Sequence, residues 1–191
     1  MRLKIYIFRH GQTEFNRDSK FTGWYDAKLS KPGVEDAKIV TERLKDKKFQ
    51  VAFHTSLSRS KNTLKEVIAL HPECLHVFID DRMVERNYGN LNGKTHLEVV
   101  QKSGIEKYDL WHRSWDIKPP KGESFKDVEK RVGEFIKFLK GYMKKNKVNV
   151  AISAHGNSIR LFRKIMEGLS VKETCELYIP YDKVFEYNLE I

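Results

Sequence analysis

Cysteine is scarce in this chain, and its scarcity excludes several classes of small protein. Among 191 residues there are two cysteines, Cys74 and Cys175, which lie far apart and belong to no CxxC or Cys/His pattern. A disulfide-stabilised scaffold and a structural zinc site are therefore not expected. Free thiols suit a reducing compartment, so the sequence predicts a cytoplasmic protein.

Long apolar runs are also missing. No stretch approaches the roughly 20 apolar residues that a membrane-spanning helix needs. The first residues, Met1-Arg2-Leu3-Lys4-Ile5, begin a strand directly and lack the apolar core and cleavage site of a signal peptide. Linkers, repeats and low-complexity segments are absent too, while 40% of the residues are hydrophobic. We expect one soluble domain over residues 1–191, with no membrane partner.

Acidic residues are fewer than basic ones, 26 against 36, which gives a formal net charge of +10. Basic proteins attract polyanions, so nucleic-acid binding has to be weighed. However, much of the excess is lysine along predicted helix faces, and no RNP-like aromatic pattern or DNA-reading motif occurs. We interpret the charge as solvated surface and expect no nucleic-acid partner. The same field favours a small, highly charged phosphate ester.

Hydrophobic periodicity predicts strands that alternate with helices. Strands are expected in a run ending at residue 8 and at 49–53, 76–79, 148–154 and 185–189. Helices are expected over 30–44, 57–68 and 125–143 and again after residue 156, with an irregular segment at 80–120. This alternation predicts an α/β protein with three layers, α/β/α, around a mostly parallel sheet.

Two of the predicted helices carry recognisable start signals. Ser30 is placed as an N-cap with Pro32 in the first turn, and Ser124 with Asp127 has the form of a capping box. The apolar positions expected to face the sheet from the first of these helices are Val34, Ala37, Val40 and Leu44.

Two buried strands break abruptly into the dipeptide His-Gly, at His10-Gly11 and at His155-Gly156. Ligands of α/β sheets bind in the crevice beyond the carboxyl ends of the strands. Both imidazoles are therefore expected at one edge of the sheet, where a small anionic substrate would lie.

Cationic side chains accompany the two histidines. Arg9 and Arg59 stand at a strand end and a helix start, and a phosphoryl group needs several such fixed donors. Helix N-termini after residues 56 and 155 would add backbone N–H groups. A neutral imidazole at His10 could attack phosphorus and form a phosphohistidine, with Glu85 as the acid for the leaving alcohol. No metal-ligand cluster is visible, so the arginines and His155 would stabilise the charge.

Each of these residues also has an ordinary structural interpretation. A strand ending in His-Gly often arises by chance, and Glu85 could be a solvated carboxylate paired with Arg82 or Arg86. Arg59 could be a surface arginine, although a cation is not favoured in the first turn of a helix. Packing is the expected role of the tryptophans, which are Trp24, Trp111 and Trp115.

Further stretches accompany the His-Gly motifs in order along nearly the whole chain. They are Phe8-Arg9-His10-Gly11-Gln12-Thr13-Glu14-Phe15-Asn16, Phe21-Thr22-Gly23-Trp24-Tyr25-Asp26, Leu29-Ser30, Thr55-Ser56-Leu57-Ser58-Arg59, Glu85-Arg86-Asn87-Tyr88-Gly89-Asn90-Leu91, Pro119-Pro120-Lys121-Gly122-Glu123-Ser124 and Ala154-His155-Gly156-Asn157-Ser158. This series resembles the histidine phosphatase superfamily, and in particular the short form of its cofactor-dependent phosphoglycerate mutase branch.

The resemblance implies a phosphoglycerate mutase-like fold and a division of roles. His10 is implied as the phosphorylated nucleophile, Glu85 as proton donor and acceptor, and Arg9, Arg59 and His155 as the groups holding the phosphoryl. The implied substrate-binding residues are Asn16, Thr22, Gly23, Arg86, Tyr88, His96, His112, Arg113, Gly156 and Asn157. The implied reaction interconverts 3-phosphoglycerate and 2-phosphoglycerate, with 2,3-bisphosphoglycerate as primer and without a metal.

Several positions depart from the branch pattern. His96 stands where the branch has a lysine, with Lys94 nearby, and His112 replaces one arginine of a pair that leaves Arg113 alone. The contiguous segment 119–124 bears on the oligomeric state, for which monomer and dimer both stay open. The sequence also ends at Ile191 without the branch's longer tail.

These departures keep other functions open. An uncovered phosphohistidine reacts with water, so a phosphatase acting on small phosphate esters is the alternative prediction. A basic, non-catalytic module that binds phosphate on a polymer is a third hypothesis. It predicts binding without turnover.

Overall fold

A five-stranded sheet forms the centre of the computed structural model, which describes residues 2–190. The strands are β1 (Arg2–Arg9), β2 (Val51–His54), β3 (His76–Ile79), β4 (Val150–Ala154) and β5 (Val184–Glu190), in the spatial order β3-β2-β4-β1-β5. Neighbouring strands are parallel except for β5, which is antiparallel to β1. The predicted mostly parallel sheet is confirmed.

Eight α-helices accompany the strands in the described part of the chain. They are α1 (Glu14–Arg17), α2 (Lys31–Leu44), α3 (Ser58–Ile68), α4 (His96–Ser103), α5 (Ile105–Arg113), α6 (Phe125–Asn146), α7 (Gly156–Glu167) and α8 (Val171–Glu176). The segment predicted as irregular contains α4, α5 and two short 3-10 turns, Asp81–Met83 and Gly89–Leu91. Helices α1 and α8 are too short to show a periodic pattern. No helix within residues 2–190 is long and apolar enough to cross a membrane.

Side chains of β1 alternate between two cores, one on each face of the sheet. Leu3, Ile5 and Ile7 pack with residues of α6 and α7, whereas Tyr6 and Phe8 pack with residues of α2 and α3. Successive side chains of a strand point to opposite faces, so helices cover both faces of this one. The predicted three-layer α/β/α arrangement is confirmed.

The two predicted helix starts are confirmed by their caps. The Ser30 hydroxyl accepts a hydrogen bond from the Gly33 N–H at 3.2 Å. At the start of α6, Ser124 accepts from the Asp127 N–H at 3.1 Å, and Asp127 accepts from the Ser124 N–H at 2.9 Å. These bonds satisfy amides that a helix N-terminus leaves unpaired.

One predicted core position of α2 is wrong. Ala37, Val40 and Leu44 are buried, but Val34 is 39% exposed. Gly33 occupies the inward position of that turn instead, because a Cβ there would collide with the Gln12 carbonyl. The start of α2 therefore packs backbone against backbone on the loop that follows β1.

The limits of two inner strands also differ from expectation. β2 begins at Val51 and not at residue 49, and β4 begins at Val150 and not at 148. All four residues of β2 are buried. An inner parallel strand is covered on both faces, so its sequence gives no alternation that would mark its limits.

The register of the sheet brings the two His-Gly motifs together. Arg9 of β1 lies opposite Ala154 of β4, and the His10 N–H donates to the Ala154 carbonyl at 3.0 Å. His10 and His155 follow these paired positions directly. Both therefore emerge at the carboxyl edge of two adjacent strands.

Candidate active site

A cavity of about 320 Å³ opens at this edge of the sheet. Its volume is at the lower end of the roughly 300–1,000 Å³ typical of small-molecule sites. Thirteen residues named from the sequence line it: Arg9, His10, Asn16, Thr22, Gly23, Arg59, Glu85, Tyr88, His96, His112, Arg113, Gly156 and Asn157. Six others line it as well: Lys20, Phe21, Arg160, Tyr178, Ile179 and Tyr181.

The ring of His10 is held in one orientation from both sides. Its Nδ1 lies 2.7 Å from the Gly11 carbonyl oxygen, and the Arg59 Nε donates to its Nε2 at 3.3 Å. A carbonyl can only accept and a guanidinium can only donate, so these partners assign the proton to Nδ1. The lone pair is therefore on Nε2, the nitrogen that would attack phosphorus.

The surroundings keep this imidazole uncharged. Burial lowers the pKa of His10 well below its ordinary value, and the positive charges of Arg59 and Arg9 lower the pKa further. An unprotonated imidazole is the nucleophilic form, because a protonated ring has no lone pair to offer.

His155 lies beside His10, in edge contact with it. The two ring centroids are 4.9 Å apart, and His155 Nε2 lies 2.8 Å from the Thr55 hydroxyl. Burial, followed by the charge of Arg59, lowers the pKa of His155 well below its ordinary value. His155 is fully buried and is not itself among the residues that line the cavity.

The guanidinium of Arg59 connects His10 to the loop at residues 20–25. Besides His10, it donates to the Gly23 carbonyl at 2.8 Å and to the Tyr25 carbonyl at 2.7 Å. Burial lowers the pKa of Arg59 to about 10, which leaves the group charged at neutral pH. The side chain stands in the first turn of α3, where a cation is unfavourable unless an anion lies nearby.

Arg9 is held on the opposite wall by the segment between α8 and β5. It donates to the Ile179 carbonyl at 2.9 Å, and its guanidinium lies 4.0 Å from the centre of the Tyr181 ring. Its buried Nε has no partner in the described part of the chain. A donor is therefore left for a ligand of the cavity.

Glu85 supplies the only carboxylate among the residues that line the cavity. Its Oε1 accepts from the backbone N–H groups of Arg86 at 2.7 Å and Asn157 at 3.2 Å. Its own carbonyl accepts from the indole of Trp24 at 2.7 Å and from Arg131 at 3.1 Å. Trp24 is 47% exposed, so this tryptophan positions the loop of Glu85 and is not the packing residue that we expected.

Asn157 links Glu85 to further polar side chains of the cavity. Its Nδ2 donates to the Tyr88 hydroxyl at 3.0 Å, and its Oδ1 accepts from Arg160 at 3.3 Å. Since its N–H also contacts Glu85, this residue at the start of α7 connects three cavity residues.

An aromatic cluster around Phe21 forms another part of the cavity wall. Helices α4 and α5 contribute its two histidines, His96 and His112. The rings of His96 and His112 lie 4.2 and 5.5 Å from the Phe21 ring centre, and His96 Nδ1 lies 3.0 Å from the Tyr108 hydroxyl. Burial, then the charge of Arg113, lowers the pKa of His112 to about 3 and lowers that of His96. Both imidazoles are thus neutral where the branch pattern has cations.

Of the two candidates for the missing lysine, the structure places His96 at the cavity. Lys94 lines a separate depression with Glu98. A different lysine, Lys20, lies in the cavity wall. Its position directly before the Phe21-Thr22-Gly23 stretch is the sequence signal that could have indicated it.

Arg86 is the one predicted substrate-binding residue that the structure places outside the cavity lining. It is fully buried, and its three guanidinium nitrogens donate to the carbonyls of Glu123, His112 and Trp111 at 2.7, 3.2 and 2.7 Å. These contacts fasten the guanidinium to the backbone, and the expected contact between Arg86 and the substrate stays a prediction.

The remaining unpredicted residues differ in how far a sequence could reveal them. Arg160 follows Gly156 by four positions on α7, and residues spaced by four share one face of a helix. Tyr178, Ile179 and Tyr181 lie in a segment without regular structure, and no local pattern directs them to the cavity.

The chain belongs to the histidine phosphatase superfamily (branch 1), whose family model matches residues 5–188. A phosphoglycerate mutase of Schizosaccharomyces pombe is 38% identical, across 97% of this chain and 90% of the relative. A 2,3-bisphosphoglycerate-dependent phosphoglycerate mutase of Mesorhizobium japonicum is 35% identical, across 91% of this chain and 85% of the relative.

Solved structures confirm the fold. An alpha-ribazole phosphatase from Shigella flexneri superposes with a TM-score of 0.84 at 24% identity, over 96% of this chain and 89% of that one. A phosphoglycerate mutase from Bacillus anthracis superposes with a TM-score of 0.77 at 20% identity, over 99% of this chain and 88% of that one. Phosphatases and mutases therefore share this architecture, and the fold alone does not select between them.

Proposed function

We propose that the chain, acting as one domain over residues 1–191, is a 2,3-bisphosphoglycerate-dependent phosphoglycerate mutase. It would interconvert 3-phosphoglycerate and 2-phosphoglycerate through a phosphohistidine at His10. The observation that carries the proposal is the charge of the cavity. Five cations, Arg9, Lys20, Arg59, Arg113 and Arg160, line it together with a single carboxyl group, Glu85.

This excess of positive charge exceeds what one transferring phosphoryl needs. Arg9, Arg59 and His155 already surround His10, whereas Lys20, Arg113 and Arg160 add further cations to the same cavity. A glycerate that carries phosphate and carboxylate groups matches such a cavity better than a simple monoester does. The names of the relatives at 35–38% identity support the same substrate class.

The first chemical step uses the unprotonated Nε2 of His10. Its lone pair forms the N–P bond while the P–O bond to the leaving oxygen breaks, and the proton that this oxygen needs comes from Glu85. Arg9 and Arg59 would hold the oxygens of the phosphoryl, where charge develops. A donor on His155 would need Nδ1 protonated, which its contact between Nε2 and the Thr55 hydroxyl permits.

The second step reverses the roles. Glu85, now ionised, takes the proton of the attacking glycerate hydroxyl, the new O–P bond forms and the N–P bond to His10 breaks. The bisphosphoglycerate primer supplies the first phosphoryl and fits the residues present, since the cavity offers unpaired donors on Arg9 and Arg160. No group of three or more His, Cys, Asp or Glu side chains that could hold a metal occurs within residues 2–190.

We further propose a cytoplasmic enzyme of glycolysis and gluconeogenesis, monomeric or dimeric, that acts on small phosphoglycerates without a metal and without nucleic-acid or membrane partners. The absence of cysteine patterns and of DNA-reading motifs supports this assignment.

A paired assay tests the proposed reaction. 3-Phosphoglycerate is incubated with the protein, with and without added 2,3-bisphosphoglycerate, and both 2-phosphoglycerate and inorganic phosphate are followed. We expect 2-phosphoglycerate to form much faster with the primer, and the His10→Ala variant to form none. Rapid release of phosphate with negligible 2-phosphoglycerate would contradict the mutase.

A phosphatase of small phosphate esters is the second candidate. The observation that favours it is the pair of neutral imidazoles, His96 and His112, where the mutase pattern has cations. Weaker retention of a bisphosphate would let water compete for the phosphohistidine. His10 and Glu85 would keep the same roles.

A further inference from the structure

Arg160 is a cavity cation that takes no direct part in the phosphoryl transfer described above. It lies in the second turn of α7 and lines the cavity. Its side chain makes one hydrogen bond within residues 2–190, from a terminal nitrogen to Asn157 Oδ1 at 3.3 Å. Its Nε is shielded from solvent and has no partner there.

No carboxylate of residues 2–190 forms an ion pair with this guanidinium. The arginines that do form ion pairs are Arg2, Arg17, Arg43, Arg82, Arg131 and Arg163. A buried charge without a counter-ion is costly, because burial removes its hydration and nothing replaces it. An anion from outside the chain would supply what is missing.

Arg160 and Arg113 act on the same part of the cavity. After burial, the charges of Arg113 and Arg160 both contribute to lowering the pKa of His112. Burial also lowers the pKa of Arg160, and the charge of Arg113 lowers it further while that of Glu85 raises it. Arg113 has one long hydrogen bond, 3.4 Å to the Cys175 carbonyl, and no ion pair within the described residues. Two unpaired cations around a neutral ring repel each other until an anionic group binds near both.

We propose that Arg160 binds the carboxylate of the phosphoglycerate and so selects ligands with a second anionic group over phosphate monoesters. This inference rests on the proposed function and deepens it. The phosphoryl already has Arg9, Arg59 and the two histidines, whereas a planar guanidinium with a free Nε suits a carboxylate, which it can engage through two parallel bonds.

A positioning role is the competing explanation, because Arg160 also holds Asn157, which contacts Glu85 and Tyr88. Substitution by glutamine separates the two roles. The amide of Arg160→Gln can still donate to Asn157 Oδ1 but carries no charge. Arg160→Lys keeps the charge and loses the planar pair of donors.

The test is a binding cycle measured by titration calorimetry. 3-Phosphoglycerate and glycerol 3-phosphate share the phosphate and the carbon chain, and only the first has a carboxylate. Both are titrated into His10→Ala and into His10→Ala/Arg160→Gln, so that no turnover intervenes. Lys20→Gln in the same background is the matched control, since it removes another cavity cation.

We expect Arg160→Gln to weaken the binding of 3-phosphoglycerate by about 10- to 100-fold, because a charged hydrogen bond is lost. The binding of glycerol 3-phosphate should weaken by less than about twofold. Arg160→Lys should restore part of the difference. An equal loss for both ligands, or no loss for either, would overturn the proposal. Discrimination by Arg160 in a protein that forms no 2-phosphoglycerate would support this inference while the proposed function fails.

Discussion

The two ends of the cavity are built differently. At the strand end, His10 and His155 follow paired positions of β1 and β4, are 2% and 0% exposed, and have ring nitrogens fixed by Gly11, Arg59 and Thr55. At the helix end, the cavity residues come from α4 and α5, and no residue of α5 is buried. If the proposed function holds, the contrast places the chemistry on a densely packed part of the fold and substrate choice on a more exposed one.

This difference predicts that substitutions at the strand end reduce turnover of every substrate. The largest effect is expected for His10→Ala, which removes the nucleophile and should lower kcat by at least about 10⁴-fold. Formation of 2-phosphoglycerate and transfer of labelled phosphoryl to the protein measure it. Unfolding in urea serves as the control for folding. Labelling of the variant at the wild-type level would contradict the assignment of the nucleophile.

The next largest effect is expected for Glu85→Gln. The amide oxygen can still accept from the N–H groups of Arg86 and Asn157, so the site should keep its shape, but no proton can be transferred. Turnover of phosphoglycerate should fall by about 10²- to 10⁴-fold. Phosphorylation of the protein by p-nitrophenyl phosphate, whose leaving group departs without a proton, should be slowed much less. Equal losses for both substrates would argue against the acid role.

Behind the helix end, Arg86→Met is expected to change stability more than chemistry. The arginine supplies donors to carbonyls at the end of α5, at Trp111 and His112, and to that of Glu123. Leaving these partly buried acceptors unpaired should lower the free energy of unfolding by about 3–5 kcal/mol. Urea denaturation measures this free energy. The matched control is Arg113→Met, which should lower the free energy of unfolding by less than about 1 kcal/mol. A large rise in KM with unchanged stability would restore the substrate-binding interpretation.

The smallest effect concerns acid. Burial lowers the pKa of His112 from 6.5 to about 3. Between these pH values His112 is protonated in the unfolded chain and neutral in the folded one. Its contribution to stability is full above pH 6.5 and is lost as the pH falls towards 3. When the pH falls from 7 to 5, the free energy of unfolding of the wild type should therefore decrease by about 1–2 kcal/mol more than that of His112→Gln. Urea denaturation at a series of pH values measures this difference, and an identical loss of stability in the variant and the wild type would contradict the prediction.

The same division explains what the sequence could predict. Parallel strands end at one edge, so the double His-Gly pattern was enough to place His10 and His155 together. Helix caps at Ser30 and Ser124 depend on three or four adjacent residues and were equally readable. Local patterns of this kind are therefore enough to predict almost all of the strand end of the cavity.

The helix end depends on contacts between distant segments, which no local pattern encodes. Arg86 stands in a motif with Tyr88, yet whether its side chain faces the ligand or the backbone of α5 is decided by where residues 111–123 lie. The contact of Arg9 with Ile179, 170 residues away in sequence, is of the same kind. For such residues the tertiary arrangement decides, and sequence periodicity cannot.

The packing of Gly33 against Gln12 makes a residue outside the cavity sensitive to mutation. A Cβ at Gly33 would collide with the loop that carries the nucleophile, as would one at Gly11 with the Gly33 carbonyl. Gly33 does not line the cavity. A missense change at this codon would therefore disturb the loop at His10, and we expect it to reduce any activity that depends on His10, although every cavity-lining residue would still be encoded correctly.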